Sequence, residues 1–338
     1  MNLTERIDAL VQLGQQLSND INILQDAIKL SYHENRWFIE DNSKKAITAI
    51  ANNFLQKDRL DHWLTHYSIV NVSTQKKIGL ILAGNIPLVG FHDVLSVFIS
   101  GHISVIKLSD KDKQLLPAIL KLLYKIDPRT DPYFEIVERL TEYDAVIATG
   151  SDNSAVHFEY YFKHVPHIIR RNRNAVAILS GDESREEIVS LGKDIFNYFG
   201  LGCRNVSKLY IPEGYNLEFI MEALHDYNEL VLHNKYKNNF DYNYAIYLLN
   251  QDKFLMNGCI LLMESEDIAS RIAMLGYEYY SSNNQLIELL NKRKGEIQCI
   301  VSNRIIQGLQ TVGFSHAQEP SLTDYADGVD TLEFLIEL

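Results

Sequence analysis

The sequence predicts a two-lobed α/β fold, with open, mainly parallel sheets behind an N-terminal helical segment. The first observation is a set of short apolar runs, IGLILAG (78–84), ISVIKLS (103–109) and AVIATG (145–150). Continuous runs of this length suit strands buried on both faces of a parallel sheet. The second is that helical stretches, about 88–100 and 112–124, separate them. Such alternation builds βαβ units. The third is length: 338 residues are many for a single core, so two lobes are expected.

Each element follows from its pattern. Leu3, Ile7, Leu10, Leu13, Leu17, Leu24 and Ile28 recur at helical spacing, and helices over about 43–55 and 60–67 complete a helical segment, 1–67. The runs above define a first lobe, 68–168. In a second lobe, 169–305, strands are expected at 175–181, 206–212, 245–250, 259–264 and 298–303, with helices at 183–199, 217–225 and 268–275. The remaining segment, 306–338, ends in TLEFLIEL, which reads as a terminal strand. An exposed strand this apolar invites pairing with another chain, so a homodimer is expected.

Composition narrows the function. A net charge of −12 argues against general nucleic-acid binding, which needs cations to neutralise phosphates. No apolar run approaches the roughly 20 residues of a membrane span. The first residues lack the basic-then-apolar layout of a signal peptide, so a cytoplasmic location is expected. Three cysteines, Cys203, Cys259 and Cys299, do not describe a disulfide framework.

Candidate site residues come from strand ends and turns. Ligands of open α/β sheets bind beyond the carboxyl ends of the strands, which singles out Gly84, Asn85, Ser109, Gly150 and Ser151. Asn85 in GNIPLVG is placed to donate an amide N–H to an oxyanion, or it is ordinary turn chemistry. Gly150 and Ser151 open a helix, either as a phosphate site or as a plain N-cap. Lys107 at a strand end reaches ribose or phosphate, or is solvated. Cys203 in FGLGCRN follows Gly200 and Gly202, which bracket a leucine, and precedes Arg204, whose charge favours a thiolate. Its two readings are a nucleophile and a small buried hydrophobe. Cys259 and Cys299 lie in apolar strands and read as core. Arg170, Arg171 and Arg173 form a basic patch suited to substrate phosphates. His62 and His66 have ligand spacing but lack the Glu of HExxH, so no metal site is expected.

The order of these motifs carries more than any one of them. Gly-Asn-x-Pro after a strand, a Gly before a strand ending in Lys-x-Ser, Thr-Gly-Ser, and then a lone Gly-x-x-Cys resemble the aldehyde dehydrogenase superfamily. Within it the chain resembles the acyl-CoA reductases, the family of the reductase component of the bacterial luminescence fatty-acid reductase. The resemblance runs from about Ile78 to the C-terminus and includes SLTDYADGVDTLEFL (321–335). It implies an aldehyde-dehydrogenase-like fold and reduction of an acyl-CoA to an aldehyde by NADPH or NADH. It also implies an acyl-protein synthetase or acyltransferase as partner. It makes Cys203 the nucleophile and Asn85 the oxyanion-hole amide. Lys107 becomes the ribose-binding lysine, and Gly150 and Ser151 the pair near pyrophosphate and nicotinamide. Gly101 becomes the small residue of the helix-to-strand turn.

Two departures matter. The general-base Glu of hydrolytic members is replaced within Ile169-Arg170-Arg171-Asn172, which favours thioester exchange over hydrolysis. The Glu-x-Phe-Gly that holds the nicotinamide ribose is replaced by Leu255-Met256-Asn257-Gly258. Asp110, three residues past Lys107, would repel a 2′-phosphate and favours NADH, whereas the luminescence relatives imply NADPH. Two alternative readings are an inactive nucleotide-binding protein on this fold and a Cys-dependent acyltransferase.

Overall fold

Two units make up the chain: 1–172 together with 319–338, and 173–318. The computed structural model describes residues 1–69 and 74–338. Residues 70–73, at the opening of the expected 68–168 lobe, lie outside the described residues.

The first unit starts with four helices, α1 (Leu3–Asn19), α2 (Gln25–Glu34), α3 (Glu40–Asn53) and α4 (Lys57–Leu64). Asn2 starts α1 through a capping box: its side chain accepts the Glu5 N–H at 2.9 Å, and Glu5 accepts the Asn2 N–H at 2.8 Å. Ile7, Leu10, Leu13 and Leu17 form the buried stripe of α1. Then come β1 (Lys77–Ile81), α5 (Phe91–Ser100), β2 (Ile103–Lys107), α6 (Leu115–Ile126), β3 (Phe134–Ile136), β4 (Ala145–Thr149), α7 (Asp152–Phe162) and β5 (His167–Arg170). The sheet runs β3-β2-β1-β4-β5 and is parallel throughout. Nearly every residue of α5 is buried, and Gly101 ends that helix at φ +89°, a left-handed cap that only Gly adopts without cost.

The second unit contains β6 (Asn174–Ile178), α8 (Arg185–Phe196), β7 (Val206–Pro212), α9 (Leu217–Leu224), α10 (Asn234–Asn250), β8 (Leu255–Met256), β9 (Leu261–Glu264), β10 (Met274–Tyr280), α11 (Asn283–Lys292) and β11 (Ile297–Val301). Its sheet runs β11-β6-β7-β10-β9-β8, with only β8 antiparallel. Two expectations fail here. The run 245–250 is the end of α10, and its Leu248 and Leu249 are exposed. The stretch 268–275, expected as a helix, leads into β10, which lies between β7 and β9. Along that ladder the buried Lys208 pairs with Glu278 and donates to the Glu266 carbonyl at 2.7 Å.

The C-terminal stretch returns to the first unit. TLEFLIEL is not a strand: it forms α12 (Thr331–Ile336), which packs Leu332 and Leu335 into the first unit's core. The strand-pairing argument for a homodimer therefore loses its strand. Buried polar contacts fasten this return. Arg170 donates to Asp93 at 2.6 Å and to Thr331 Oγ1 at 2.7 Å. Trp63 Nε1 donates to Tyr325 OH at 2.6 Å, and Tyr67 OH donates to Asp330 at 2.5 Å. Among the described residues no helix is long and apolar enough to cross a membrane.

The Arg170–Asp93 pair is almost fully shielded from water, and removing one partner of such a pair strands a buried charge. Asp93→Ala is expected to lower stability by about 3–5 kcal/mol, read as a loss of unfolding free energy in urea.

Candidate active site

In the first unit the strand order reverses between β1 and β4, and the crevice beyond their carboxyl ends is where such sheets bind ligands. Four of the expected residues lie after those two strands, Gly84 and Asn85 after β1, Gly150 and Ser151 after β4. The neighbouring strand adds Lys107 and Ser109, with Leu82 N–H donating to the Lys107 carbonyl at 3.2 Å. A Cβ on Gly84 would stand 2.5 Å from Ser109 Oγ, so only glycine lets these two loops lie side by side. Gly150 N–H donates to the Arg170 carbonyl at 3.3 Å. The Ser151 hydroxyl accepts the Ser154 N–H at 3.3 Å, so its side chain serves as the N-cap of α7. The first turn of α7 thus presents backbone N–H groups at the switch point, a fit for a pyrophosphate.

Asp112 holds the Asn85 loop, a role the sequence reading missed. Its carboxylate accepts the Leu88 N–H at 2.8 Å, and Leu88 itself sits at φ +58°. A bulky residue in the left-handed region costs about 1–3 kcal/mol and persists only where neighbours enforce it. Burial pushes the Asp112 carboxyl up to about 6, against the opposing pull of the Leu88 and Leu115 N–H groups. In the sequence it hides in the charged run SDKDK, which reads as a solvated turn. Asp110 is exposed and pairs with Lys113 at 2.7 Å, which holds its carboxyl below the ordinary value.

In the second unit, the loop between α8 and β7 carries Cys203. Tyr198, Phe199 and Gly200 follow one another at φ +53°, +59° and +75°. Asn205, 1% exposed, then closes the loop. Its Oδ1 accepts the Gly202 N–H at 2.8 Å, and its Nδ2 donates to the carbonyls of Asn197 and Asp194 at 2.8 and 3.0 Å. Cys203 is partly exposed in the middle of this clasp. Cys259 differs: burial pushes its thiol up to about 12, the mark of an inert core cysteine. Cys299 is half-buried in β11.

The basic patch does not act as one. Arg170 is buried on Asp93 and Thr331, so it is withdrawn from any phosphate-facing role. Arg171 is exposed and Arg173 half-buried. Arg204 turns its Nε to the Ala317 carbonyl at 2.5 Å. In the segment that departs from the ribose-binding motif, Asn257 is a turn staple. It accepts the N–H groups of Cys259 and Ile260 at 3.1 Å each and donates to the Met221 carbonyl at 2.8 Å. His62 and His66 stack edge to face at 5.4 Å. Among the described residues no group of three His, Cys, Asp or Glu is placed to hold a metal.

The architecture is that of the aldehyde dehydrogenases. Aldehyde dehydrogenase 21 from Physcomitrella patens, solved with succinate, matches 100% of this chain and 84% of its own at 12% identity and TM-score 0.70. An aldehyde dehydrogenase from Bacillus cereus, solved with NAD+, matches 93% of this chain and 76% of its own at 16% identity and TM-score 0.65. A structure titled lactaldehyde dehydrogenase matches 93% and 78% at 14% identity and TM-score 0.66. At these identities the likeness is one of fold. Sequence goes a step further: residues 2–169 match the family model of acyl-CoA reductase (LuxC). No curated protein matches the chain in sequence. The family match supports the coarse class, an oxidoreductase acting on aldehyde or acyl groups.

Because the fold favours protonated Asp112, the stability this group contributes is complete below its ordinary value of 3.8. It is lost as pH rises through about 6. The expected step is on the order of 2–3 kcal/mol. Asp112→Asn keeps an acceptor for Leu88 without a charge, and should remove that step from urea-unfolding curves taken between pH 4 and 8.

Proposed function

We propose that this chain reduces an acyl-CoA to an aldehyde through an acyl-cysteine intermediate on Cys203. The observation that carries the reading is the Cys203 loop itself. Cys203 and Cys299 are both partly exposed, but Cys203 lies in a turn held by strained backbone and a buried Asn, next to Arg204, whereas Cys299 lies within a strand. Rigid, partly exposed, cation-flanked thiols are the ones that react.

In this reading Cys203 Sγ attacks the thioester carbonyl, a carbon–sulfur bond to the enzyme forms, and the bond to the CoA sulfur breaks. The Cys203 N–H and the Asn85 amide are the proposed oxyanion donors, and such donors lower a barrier by roughly 3 kcal/mol each. Arg170, in the stretch that replaces the hydrolytic base, is spent on Asp93. That supports retention of the acyl group rather than its hydrolysis. Bound NADH or NADPH would supply the hydride that turns the acyl-enzyme into an aldehyde. Gly84, Lys107, Ser109, Asp110, Gly150 and Ser151 would hold that cofactor. The Asp110–Lys113 pair bears on its choice: the carboxylate opposes a 2′-phosphate, while the ammonium beside it would accept one.

A second reading has one observation in its favour. Asn257 folds as a turn staple where the family places a carboxylate, which suits a protein that binds nucleotide without transferring hydride.

Single-turnover reaction with radiolabelled acyl-CoA separates these readings. Label is expected on the wild type and absent from Cys203→Ala, and NADH or NADPH should release it as aldehyde. Label that stays bound on adding either cofactor would establish an acyltransferase. No label with short or long acyl chains would leave the nucleotide-binding reading. On cofactor choice, Asp110→Asn is expected to raise the NADPH-over-NADH ratio of kcat/KM roughly tenfold, the worth of about 1.4 kcal/mol of relieved repulsion.

A further inference from the structure

Residues 313–317 form a turn after β11 that the proposed mechanism does not use, yet the Cys203 loop is built around it. Asp194, fully buried in α8, accepts the N–H groups of Ser315 at 2.6 Å and Ala317 at 3.0 Å, the two neighbours of His316. The Asp194 carbonyl in turn accepts the Asn205 amide that clasps Gly202. Across the turn, Arg204 bonds the Ala317 carbonyl at 2.5 Å through Nε, the guanidinium nitrogen nearest its own backbone. Cys203 and His316 are thus the chain neighbours of residues joined directly.

The turn is held under strain, as the cysteine loop is. Ser315 sits at φ +71°, and His316 N–H donates back to the Gly313 carbonyl at 3.2 Å. A Cβ on Gly313 would touch the His316 ring at 3.6 Å, so the imidazole lies over that glycine. Both Asp194 oxygens are engaged by backbone N–H groups, and the Arg204 guanidinium is a donor with no acceptor atom. His316 is exposed, and its imidazole can both accept a proton and return it.

We propose that His316 is the proton-transfer partner of Cys203, an inference that rests on Cys203 being the nucleophile. The imidazole takes the thiol proton as Sγ bonds to the acyl carbon. The imidazolium returns that proton to the departing CoA sulfur as the old carbon–sulfur bond breaks. Atoms balance, and nothing is oxidised or reduced in this step. It supplies the base that the chain lacks where hydrolytic relatives carry theirs, but places it for exchange rather than for activating water.

The test is alkylation of the full-length protein by iodoacetamide between pH 5 and 9, read separately at Cys203 and Cys299 by peptide mass spectrometry. Among the described residues, charged groups that reach the turn include Asp194, Arg204 and, through Asn303, Glu187, and all remain in the variants. In the wild type Cys203 should react faster than Cys299 at pH 7. His316→Gln, and His316→Ala as a second variant, should slow Cys203 at least tenfold at pH 7 and move the rise of its rate to higher pH. The Cys299 rate should be unchanged, which a merely unfolded variant would not show. A fast Cys203 that stays fast in both variants, with the wild-type pH profile, overturns the role of His316 and leaves the nucleophile standing. A wild-type Cys203 no faster than Cys299 overturns both.

Discussion

Helix α8 ends with the carbonyls of Asp194, Ile195 and Asn197 turned toward the following loop, and the Asn205 amide reaches all three. Helix ends leave such carbonyls without intrahelical partners. One buried side chain that satisfies them also fixes whatever its other atom holds. Here the other atom holds the Gly202 N–H, one residue before Cys203. The left-handed run Tyr198–Gly200 is tolerable only because this clasp over-determines it. The backbone beside Cys203 is placed by that arrangement, and the His316 turn docks through Asp194.

The first unit solves a comparable problem differently. Parallel strands deliver their loops to one edge of the sheet, but loops alone do not place ligand-binding groups. Gly84 lets the β1 and β2 loops lie against each other, Asp112 ties Leu88 from below, and Ser151 caps α7. The return of the C-terminal stretch packs α12 against α5, with Arg170 drawn between Asp93 and Thr331. A guanidinium used in this way stabilises the assembly of the unit and leaves the solvent-facing surface to Arg171.

The strands 77–81, 103–107 and 145–149 were legible because burial on both faces leaves an unbroken apolar run. The same rule misled at 245–250, where an apolar run closes a helix and partly faces solvent, and at 331–336, where a run suited to a strand packs as a helix. Short apolar runs do not distinguish the two by periodicity. The central strand β10 was missed because MLGYEYY mixes small, charged and aromatic residues, and its neighbours β7 and β9 decide its conformation. Of the candidate site, Gly84, Asn85, Gly150 and Cys203 stand out in the sequence because turns and glycines punctuate the chain locally. Asp112, Asn205 and the 313–317 turn could not, since each acts through a partner distant in the chain or hidden in an ordinary polar run.

The sequence by itself determined the α/β class, the helical preamble, strands β1, β2 and β4 of the first unit and the motif succession that resembles an acyl-CoA reductase. These depend on patterns within a few residues or on their order along the chain. Only the tertiary structure decided that Arg170 is a buried staple rather than a phosphate ligand, that the C-terminal segment is a helix in the first unit's core, and that Asp194 gathers the Cys203 and His316 loops. Each of those outcomes depends on where a polar group finds its partner once water is removed, and burial is set by the packing of segments far apart in the chain.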